Sequence, residues 1–216
     1  MGAAPVPCPG AFALVGVGGD ELVAVGPDLG QGAGTFLVAG PSRSGRSTLL
    51  GTMTRSLLVQ RREVVVVAPR PSPLRDLGGE EGVLDVVAGE PAEDDLARWF
   101  DDDTAPPRVL VVDDAELVRA PAVSTWLARH ARTCSDRGHA LLAGGTTSDL
   151  GTGFGGWLVE LRRGRTGALL SPQLATEGDL IGARLPRSAV GDRVRPGTAL
   201  VHLGDGELLQ VQVPHG

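Results

Sequence analysis

Apolar residues along the chain form short aliphatic runs, and these alternate with segments in which apolar positions recur every three or four residues. The runs are rich in Val and Leu with little polar alternation, which predicts strands buried on both faces of a parallel sheet. Alternation of such strands with helices predicts a three-layer α/β domain. The predicted core strands are residues 35–39, 64–68, 83–87, 109–112 and 140–143, and the predicted helices are 48–61, 91–100 and a segment that begins at Pro121.

The two ends of the chain have a different pattern. Residues 1–10 are rich in proline and predict a loosely attached lead-in. Two short apolar runs around Gly18, Gly19 and Asp20 predict a hairpin. Beyond residue 156, the runs 157–161, 198–203 and 208–213 predict antiparallel strands packed on the sheet edge. We therefore expect residues 11–216 to form a single domain.

Composition narrows the functional classes. The net charge is −6, which argues against strong sequence-independent electrostatic binding of DNA by this chain alone. All 20 basic residues are Arg, so an Arg at a position normally occupied by Lys need not reflect a new role. No apolar stretch of membrane-spanning length occurs in the sequence. The chain therefore reads as soluble, either free-standing or part of a larger membrane-anchored protein.

The most informative stretch is residues 40–48, between the first core strand and its helix. It fits the phosphate-binding pattern G-x-x-x-x-G-K-[ST] at every fixed position except one, because Arg46 replaces the Lys. In such a loop, backbone N–H groups and a helix N-terminus cradle phosphate, and the hydroxyl after the cation binds Mg²⁺. The predicted nucleotide-binding residues are Gly40, Pro41, Ser42, Arg43, Ser44, Gly45, Arg46, Ser47 and Thr48.

A second motif follows the strand 109–112, where Asp113 and Asp114 succeed four apolar residues. An acid at this point can hold Mg²⁺, so Asp113 and Ser47 are predicted metal ligands. Asp114 is the candidate base for the attacking water. Translocating ATPases with these two motifs usually carry a Glu at this position. Asp is one methylene shorter, so its carboxylate falls short of the water, which predicts slow hydrolysis. Glu116 is assigned to the next turn instead.

Other polar clusters carry no predicted chemistry. The acidic run 101–103 reads as a solvated loop, and none of the His residues has metal-ligand spacing. Cys8 and Cys134 lie far apart and read as two free thiols.

Several stretches together resemble one family. Residues 36–50 resemble the P-loop of FtsK/SpoIIIE ATPases, and residues 109–114 resemble their Walker B motif. The resemblance is closer to the C-terminal ATPase modules of the EccC-type ATPases of type VII (ESX) secretion, with further likeness at 137–142, 178–197 and 210–213. It implies a RecA-like P-loop fold with ATP and Mg²⁺ as cofactors. It also implies sister ATPase modules and a secreted protein as partners, a cytoplasmic location, and membrane attachment only through a parent protein.

Three functions fit the sequence. The leading hypothesis is a degenerate module that binds ATP, hydrolyses it slowly or not at all, and serves regulation or substrate docking. Three departures from the residues that the family usually carries favour it: Arg46 replaces a Lys, Asp114 replaces a Glu, and Thr147 replaces a Gln. The second is an active ATP-hydrolysing motor, including a DNA translocase. The third is an adaptor that has lost nucleotide binding and docks the signal peptide of a secreted substrate.

Overall fold

The computed structural model describes residues 11–19, 22–32, 34–152, 156–191 and 197–214. The proline-rich lead-in at 1–10 and the turn residue Asp20 lie outside the described residues. Within these ranges the strands are β1 (Gly16–Gly18), β2 (Val23–Val25), β3 (Thr35–Ala39), β4 (Glu63–Ala68), β5 (Val83–Ala88), β6 (Arg108–Val112), β7 (Ala140–Gly145), β8 (Gly167–Leu170), β9 (Thr198–His202) and β10 (Leu208–Gln212). The α-helices are α1 (Arg46–Val59), α2 (Glu93–Phe100), α3 (Pro121–Thr133), α4 (Thr147–Thr152) and α5 (Trp157–Arg163).

All the described strands join one mixed sheet in the order β2-β1-β10-β9-β8-β3-β7-β6-β4-β5. The pairs from β8 through β5 are parallel, whereas β9, β10, β1 and β2 add to the other side in antiparallel pairs. The predicted α/β class, with a mostly parallel centre and an antiparallel C-terminal addition, is confirmed. The predicted hairpin also forms, and it pairs with β10 at the outer edge.

Helices cover both faces of the sheet because each central strand is apolar on both sides. Phe36 and Val38 of β3 pack in one core with α1, while Leu37 and Ala39 pack in the other core with α2, α3 and α5. This alternation is the geometry of a strand whose successive side chains point to opposite faces. The result is the three-layer arrangement expected from the sequence.

One predicted element is wrong. Residues 157–161, predicted as a strand, lie in helix α5. Trp157 and Leu161 are both buried, as expected for positions four apart on one helical face, and the Trp157 indole N–H donates to the Val118 carbonyl at 3.1 Å. An ion pair between Glu160 and Arg163 is likewise made across one helical turn. A five-residue apolar run does not by itself distinguish a strand from a short buried helix.

Strand β8 was not predicted, yet it joins the two parts of the sheet. It pairs in parallel with β3 and antiparallel with β9. A Cβ at Gly167 would lie 2.4 Å from the Leu37 carbonyl oxygen, so this close approach needs a glycine.

In the parallel part of the sheet, the strands β3, β4, β6 and β7 all end at the same edge. The segments that follow them, beginning at Gly40, Pro69, Asp113 and Thr146, therefore meet there. In the part of the chain that is described, no helix has the length and apolar character needed to cross a membrane.

Candidate functional site

The loop between β3 and α1 has a backbone that depends on two glycines. Gly45 has φ of 97°, a left-handed conformation that disfavours other residues. A Cβ at Gly40 would lie 2.5 Å from the Ser44 hydroxyl oxygen and 2.7 Å from the Leu170 carbonyl oxygen. The Ser44 N–H donates to the Pro41 carbonyl at 3.2 Å and closes the loop. The conformation at Gly45 and the close contacts at Gly40 therefore explain why both fixed positions of the motif carry glycine.

The same loop leaves polar groups free to meet an anion. Gly45 is the N-cap of the 14-residue helix α1, no side chain caps that helix, and no acid lies in its first turn. The first N–H groups of a helix have no partner within the helix, and the helix dipole favours negative charge at this end. The Ser44 hydroxyl is buried and has no hydrogen-bond partner among the described residues. These features suit a phosphate group.

Arg46, at the Lys position of the motif, turns back into the protein. Its side chain is only 8% exposed. One terminal nitrogen, Nη1, donates to the carbonyls of Gly40 at 2.6 Å and Pro41 at 3.0 Å. The other, Nη2, donates to Asp114 Oδ1 at 3.2 Å. The guanidinium thus ties the loop to the end of β6 because its planar fork presents several donors at once.

Arg70, which the sequence did not single out, is a second cation on Asp114. It follows β4, and its Nε and Nη2 donate to Asp114 Oδ2 at 2.9 Å and Oδ1 at 2.7 Å. Its hydrogen bonds and the charge of Asp114 raise the pKa of Arg70. A lone Arg after a strand gives no motif signal, so only the parallel arrangement of β4 and β6 could have suggested this pair.

Asp114 is therefore held as an ion. Burial opposes its ionisation, but the hydrogen bonds and charge of Arg70, followed by those of Arg46, outweigh that effect and lower the pKa of Asp114. A carboxylate with a lowered pKa and its oxygens taken by arginine N–H groups is a poor proton acceptor.

Asp113 lies beside this network with a different set of partners. Its carboxylate is nearly fully buried. Oδ2 accepts a hydrogen bond from the Ser72 hydroxyl at 2.7 Å, and Oδ1 accepts one from the Asp114 backbone N–H at 3.0 Å. Each carboxylate oxygen has a further lone pair, so Asp113 can still accept from water or a cation.

Glu116 brings a third acid to this region, although the sequence assigned it to the following turn. Its backbone does lie in a 3₁₀ turn, Ala115–Leu117. Its side chain is buried, and Oε1 accepts from the Thr146 backbone N–H at 3.3 Å, while Oε2 has no partner among the described residues. Burial of a residue two positions after the Asp pair is not visible in the sequence.

The remaining predicted residues surround the loop. Ser42, Arg43 and Thr48 are exposed, and Ser47 is half-buried in the first turn of α1. Among the described residues, no three His, Cys, Asp or Glu side chains are grouped as a metal site. A metal held by Ser47 and Asp113 would therefore need further ligands from a bound molecule or from water.

A cavity of about 270 Å³ adjoins the loop on the side of the C-terminal strands. Its walls combine loop residues with residues from the end of β8, from the turn before β9 and from the segment after β10. It is lined by Arg43, Ser44, Gly45, Thr48, Leu170, Gly197, Val213 and Pro214.

Solved structures with the same fold include ATPase domains. EssC (ATPases 2 and 3) from Geobacillus thermodenitrificans is 21% identical with a TM-score of 0.75, and the match covers 95% of this chain and 41% of that one. Thermomonospora curvata EccC (ATPases 2 and 3) in complex with a signal sequence peptide is 17% identical with a TM-score of 0.72, over 96% and 41% of the two chains. The pCW3 conjugation coupling protein TcpA with ATPγS is 15% identical with a TM-score of 0.58, over 94% and 66%.

These similarities establish the fold: the chain has the RecA-like P-loop architecture of the EssC and EccC type VII secretion ATPase domains. The resemblance predicted from the sequence is confirmed at this level. The chain spans about two fifths of the length of the EssC structure. It matches no model of a protein family and no curated protein sequence.

Proposed function

We propose that the chain is a nucleotide-binding module of a type VII secretion ATPase of the FtsK/SpoIIIE type, with slow or no ATP hydrolysis. Its fold supports an ATPase module, and TcpA, which has a similar fold, has been solved with ATPγS. The observation that carries the proposal is the state of Asp114, the candidate base, which is engaged by both Arg46 and Arg70.

The residues of the loop fit a nucleotide phosphate. The uncapped start of α1 and the unpartnered Ser44 hydroxyl supply donors for an anion, and the space beside Gly45 is open. In this proposal, residues Gly40 to Thr48 hold the phosphates. The adjoining cavity beside Leu170 and Val213 takes the rest of the nucleotide.

The donor set also fits Mg²⁺ when a nucleotide is present. Mg²⁺ usually keeps several waters and takes one or two protein ligands together with substrate phosphates. Ser47 would supply a hydroxyl and Asp113 a carboxylate whose lone pairs are not all used. The metal would neutralise phosphate charge, and Ser72 would hold the Asp113 carboxylate in position.

Slow hydrolysis follows from the environment of Asp114. A general base must accept a proton from the attacking water, and its strength falls as its pKa falls. The pKa of Asp114 is lowered by Arg70 and Arg46 in spite of burial. Its short side chain is also directed at these two cations.

Calorimetry and a turnover assay on the full chain test the proposal. We expect ATPγS and ADP to bind in the presence of Mg²⁺, with ATP turnover well below the roughly 10 s⁻¹ that is typical of enzymes. Turnover of several per second would contradict slow hydrolysis and favour the active motor. Absence of binding by either nucleotide would contradict the nucleotide-binding role.

The proposed setting is a module, residues 11–216, that works with sister ATPase modules and a secreted protein in the cytoplasm. The EssC and EccC structures that share its fold each contain ATPases 2 and 3. Because this chain spans about two fifths of each, a tandem arrangement within a larger, membrane-anchored protein is part of the proposal.

A second candidate function is docking of a signal peptide without nucleotide chemistry. It is favoured by one observation, namely that the T. curvata EccC structure of the same fold is a complex with a signal sequence peptide. Calorimetry with a candidate peptide, in the absence and presence of ATPγS, separates the two functions. Peptide binding by a chain that binds no nucleotide would favour the adaptor.

A further inference from the structure

Arg70 stands outside the phosphate-binding motif but reaches the same site. We propose that Arg70 binds the terminal phosphate of a nucleoside triphosphate and exchanges its ion pair with Asp114 for one with that phosphate. This inference rests on the proposed nucleotide-binding function. It adds a residue that distinguishes a triphosphate from a diphosphate.

The position of Arg70 relative to the loop follows from a shared atom. Arg70 Nη2 and Arg46 Nη2 both contact Asp114 Oδ1, at 2.7 Å and 3.2 Å. The same Arg46 guanidinium contacts the Gly40 and Pro41 carbonyls. A single carboxylate oxygen, Asp114 Oδ1, therefore separates the Arg70 guanidinium from the Arg46 guanidinium.

The Arg70 guanidinium can bind either the Asp114 carboxylate or a terminal phosphate. Arg70 holds the two Asp114 oxygens with two parallel N–H donors, and the same geometry matches two oxygens of a phosphate. A terminal phosphate carries more negative charge than one carboxylate, so it competes effectively for the guanidinium. Arginine remains protonated throughout, and no proton transfer is needed for the exchange.

The two partners differ in their freedom to move. The Arg70 side chain is 54% exposed, whereas the Asp114 side chain is 10% exposed. Asp114 also has φ of 44°, in a tight turn directly after β6. The long arginine side chain can therefore turn toward a ligand while the aspartate stays in place. Arg46 would still donate to Asp114 Oδ1 after the exchange, so the candidate base stays paired with a cation when a triphosphate is bound.

A diphosphate has no terminal phosphate to compete, so it would leave the Arg70–Asp114 pair intact. The prediction is a difference between two nucleotides rather than a general loss of binding. Asp114→Asn removes the competing charge and is expected to favour the exchange. Part of that gain would come from relief of repulsion alone, so the Arg70-dependent part must be measured by a double-mutant cycle.

The experiment is isothermal titration calorimetry of the full chain with ATPγS and with ADP, both with Mg²⁺. Arg70→Ala is expected to weaken ATPγS binding by about tenfold or more and to leave ADP binding within about twofold. Asp114→Asn is expected to tighten ATPγS binding, and most of that gain is expected to disappear in the Arg70→Ala/Asp114→Asn double variant. Circular dichroism of each variant verifies that it is folded.

Arg129→Ala is the matched control. The Arg129 side chain is 55% exposed and pairs with Asp101 at 2.9 Å, and it belongs to α3, which packs on the face of the sheet opposite to α1. Like Arg70→Ala, this control removes one exposed, ion-paired arginine and one positive charge. The affinities for ATPγS and for ADP should both stay unchanged.

Three results would overturn the inference. Equal weakening of ATPγS and ADP binding by Arg70→Ala would assign Arg70 a purely structural role. Tighter ATPγS binding by Arg70→Ala would show that Arg70 hinders binding of the triphosphate. Absence of binding of both nucleotides to the unmodified chain would overturn the proposed function as well, which separates that failure from the first two.

Discussion

Arg46 Nη2 lies 3.2 Å from Asp114 Oδ1, and this contact joins the start of α1 to the end of β6. The same side chain bonds the Gly40 and Pro41 carbonyls. A lysine ammonium is a compact point charge without the planar fork of arginine. The replacement of Lys by Arg therefore builds a cross-link between the loop and the end of β6 as well as preserving a positive charge.

Replacement of Arg46 by Lys should weaken this cross-link. An ammonium cannot match both carbonyls and the carboxylate with the geometry of the guanidinium, so at least one hydrogen bond to a charged group is lost. We expect Arg46→Lys to lower the free energy of unfolding by about 1–2 kcal/mol, measured by urea denaturation without nucleotide. Arg187→Lys, at an exposed position, is the control. Equal stability of Arg46→Lys and the unmodified chain would contradict the cross-link.

The sequence predicted the central strands and the P-loop because their signals are local. The loop motif fixes a strand, a tight turn and a helix at set spacing, and the structure contains β3, the loop and α1 in that order. Long runs of β-branched residues such as β4 have no competing interpretation. The strand order from β3 to β5 likewise follows ordinary rules for parallel sheets.

The sequence could not predict contacts that depend on tertiary placement. Arg70 and Asp114 are 44 positions apart and meet because β4 and β6 are neighbours in the sheet. Glu116 is drawn inward by a 3₁₀ turn that carries no distinctive pattern. The helix α5 was missed because its apolar residues are too few for the helical period to be distinguished from a strand.

A side chain at Gly145 would force the buried Glu116 carboxylate to move. A Cβ at Gly145 would lie 2.6 Å from Glu116 Oε2 and 3.0 Å from the Leu150 side chain. Overpacking of this kind costs about 1–3 kcal/mol, so Gly145→Ala should lower the free energy of unfolding by that amount. Thermal and urea denaturation provide the measurement.

Gly151→Ala is the matched control for Gly145→Ala. It lies in helix α4, and an added Cβ there would meet no heavy atom within 4 Å. Because Ala is favoured over Gly in a helix, the control should be neutral or slightly stabilising, by up to about 1 kcal/mol. Destabilisation by both substitutions would contradict a specific role for the Gly145–Glu116 contact.

Asp113→Asn tests the proposed Mg²⁺ ligand. The amide keeps the shape of the side chain, its oxygen can accept from the Asp114 backbone N–H, and its NH₂ group can donate to the Ser72 hydroxyl, but it removes the negative charge. We expect the gain in ATPγS affinity on addition of Mg²⁺ to fall by about tenfold, while affinity without metal changes little. Titrations with Mg²⁺ and with EDTA measure this difference. An unchanged Mg²⁺ effect in Asp113→Asn would exclude Asp113 as the ligand.

His130 makes the stability of the chain depend on pH. It lies in α3, stacked on Trp126 at 4.8 Å between ring centroids, with the edge of Phe100 also at 4.8 Å. Burial, followed by the charges of His139, Arg137 and Arg129, lowers the pKa of His130 to about 3. The folded state therefore holds the imidazole neutral at pH values where an unfolded chain, with a pKa of about 6.5, binds a proton.

The sign of the pH effect follows from proton binding. Below about pH 6.5 the unfolded state binds more protons than the folded state, so stability falls as the pH falls, and it is fully retained above that value. From about pH 7 to about pH 5, His130 should account for a loss of about 2 kcal/mol. In His130→Leu this share should be absent, so urea denaturation should give a smaller loss over the same interval. Parallel losses in the variant and the unmodified chain would show that His130 is not the group responsible.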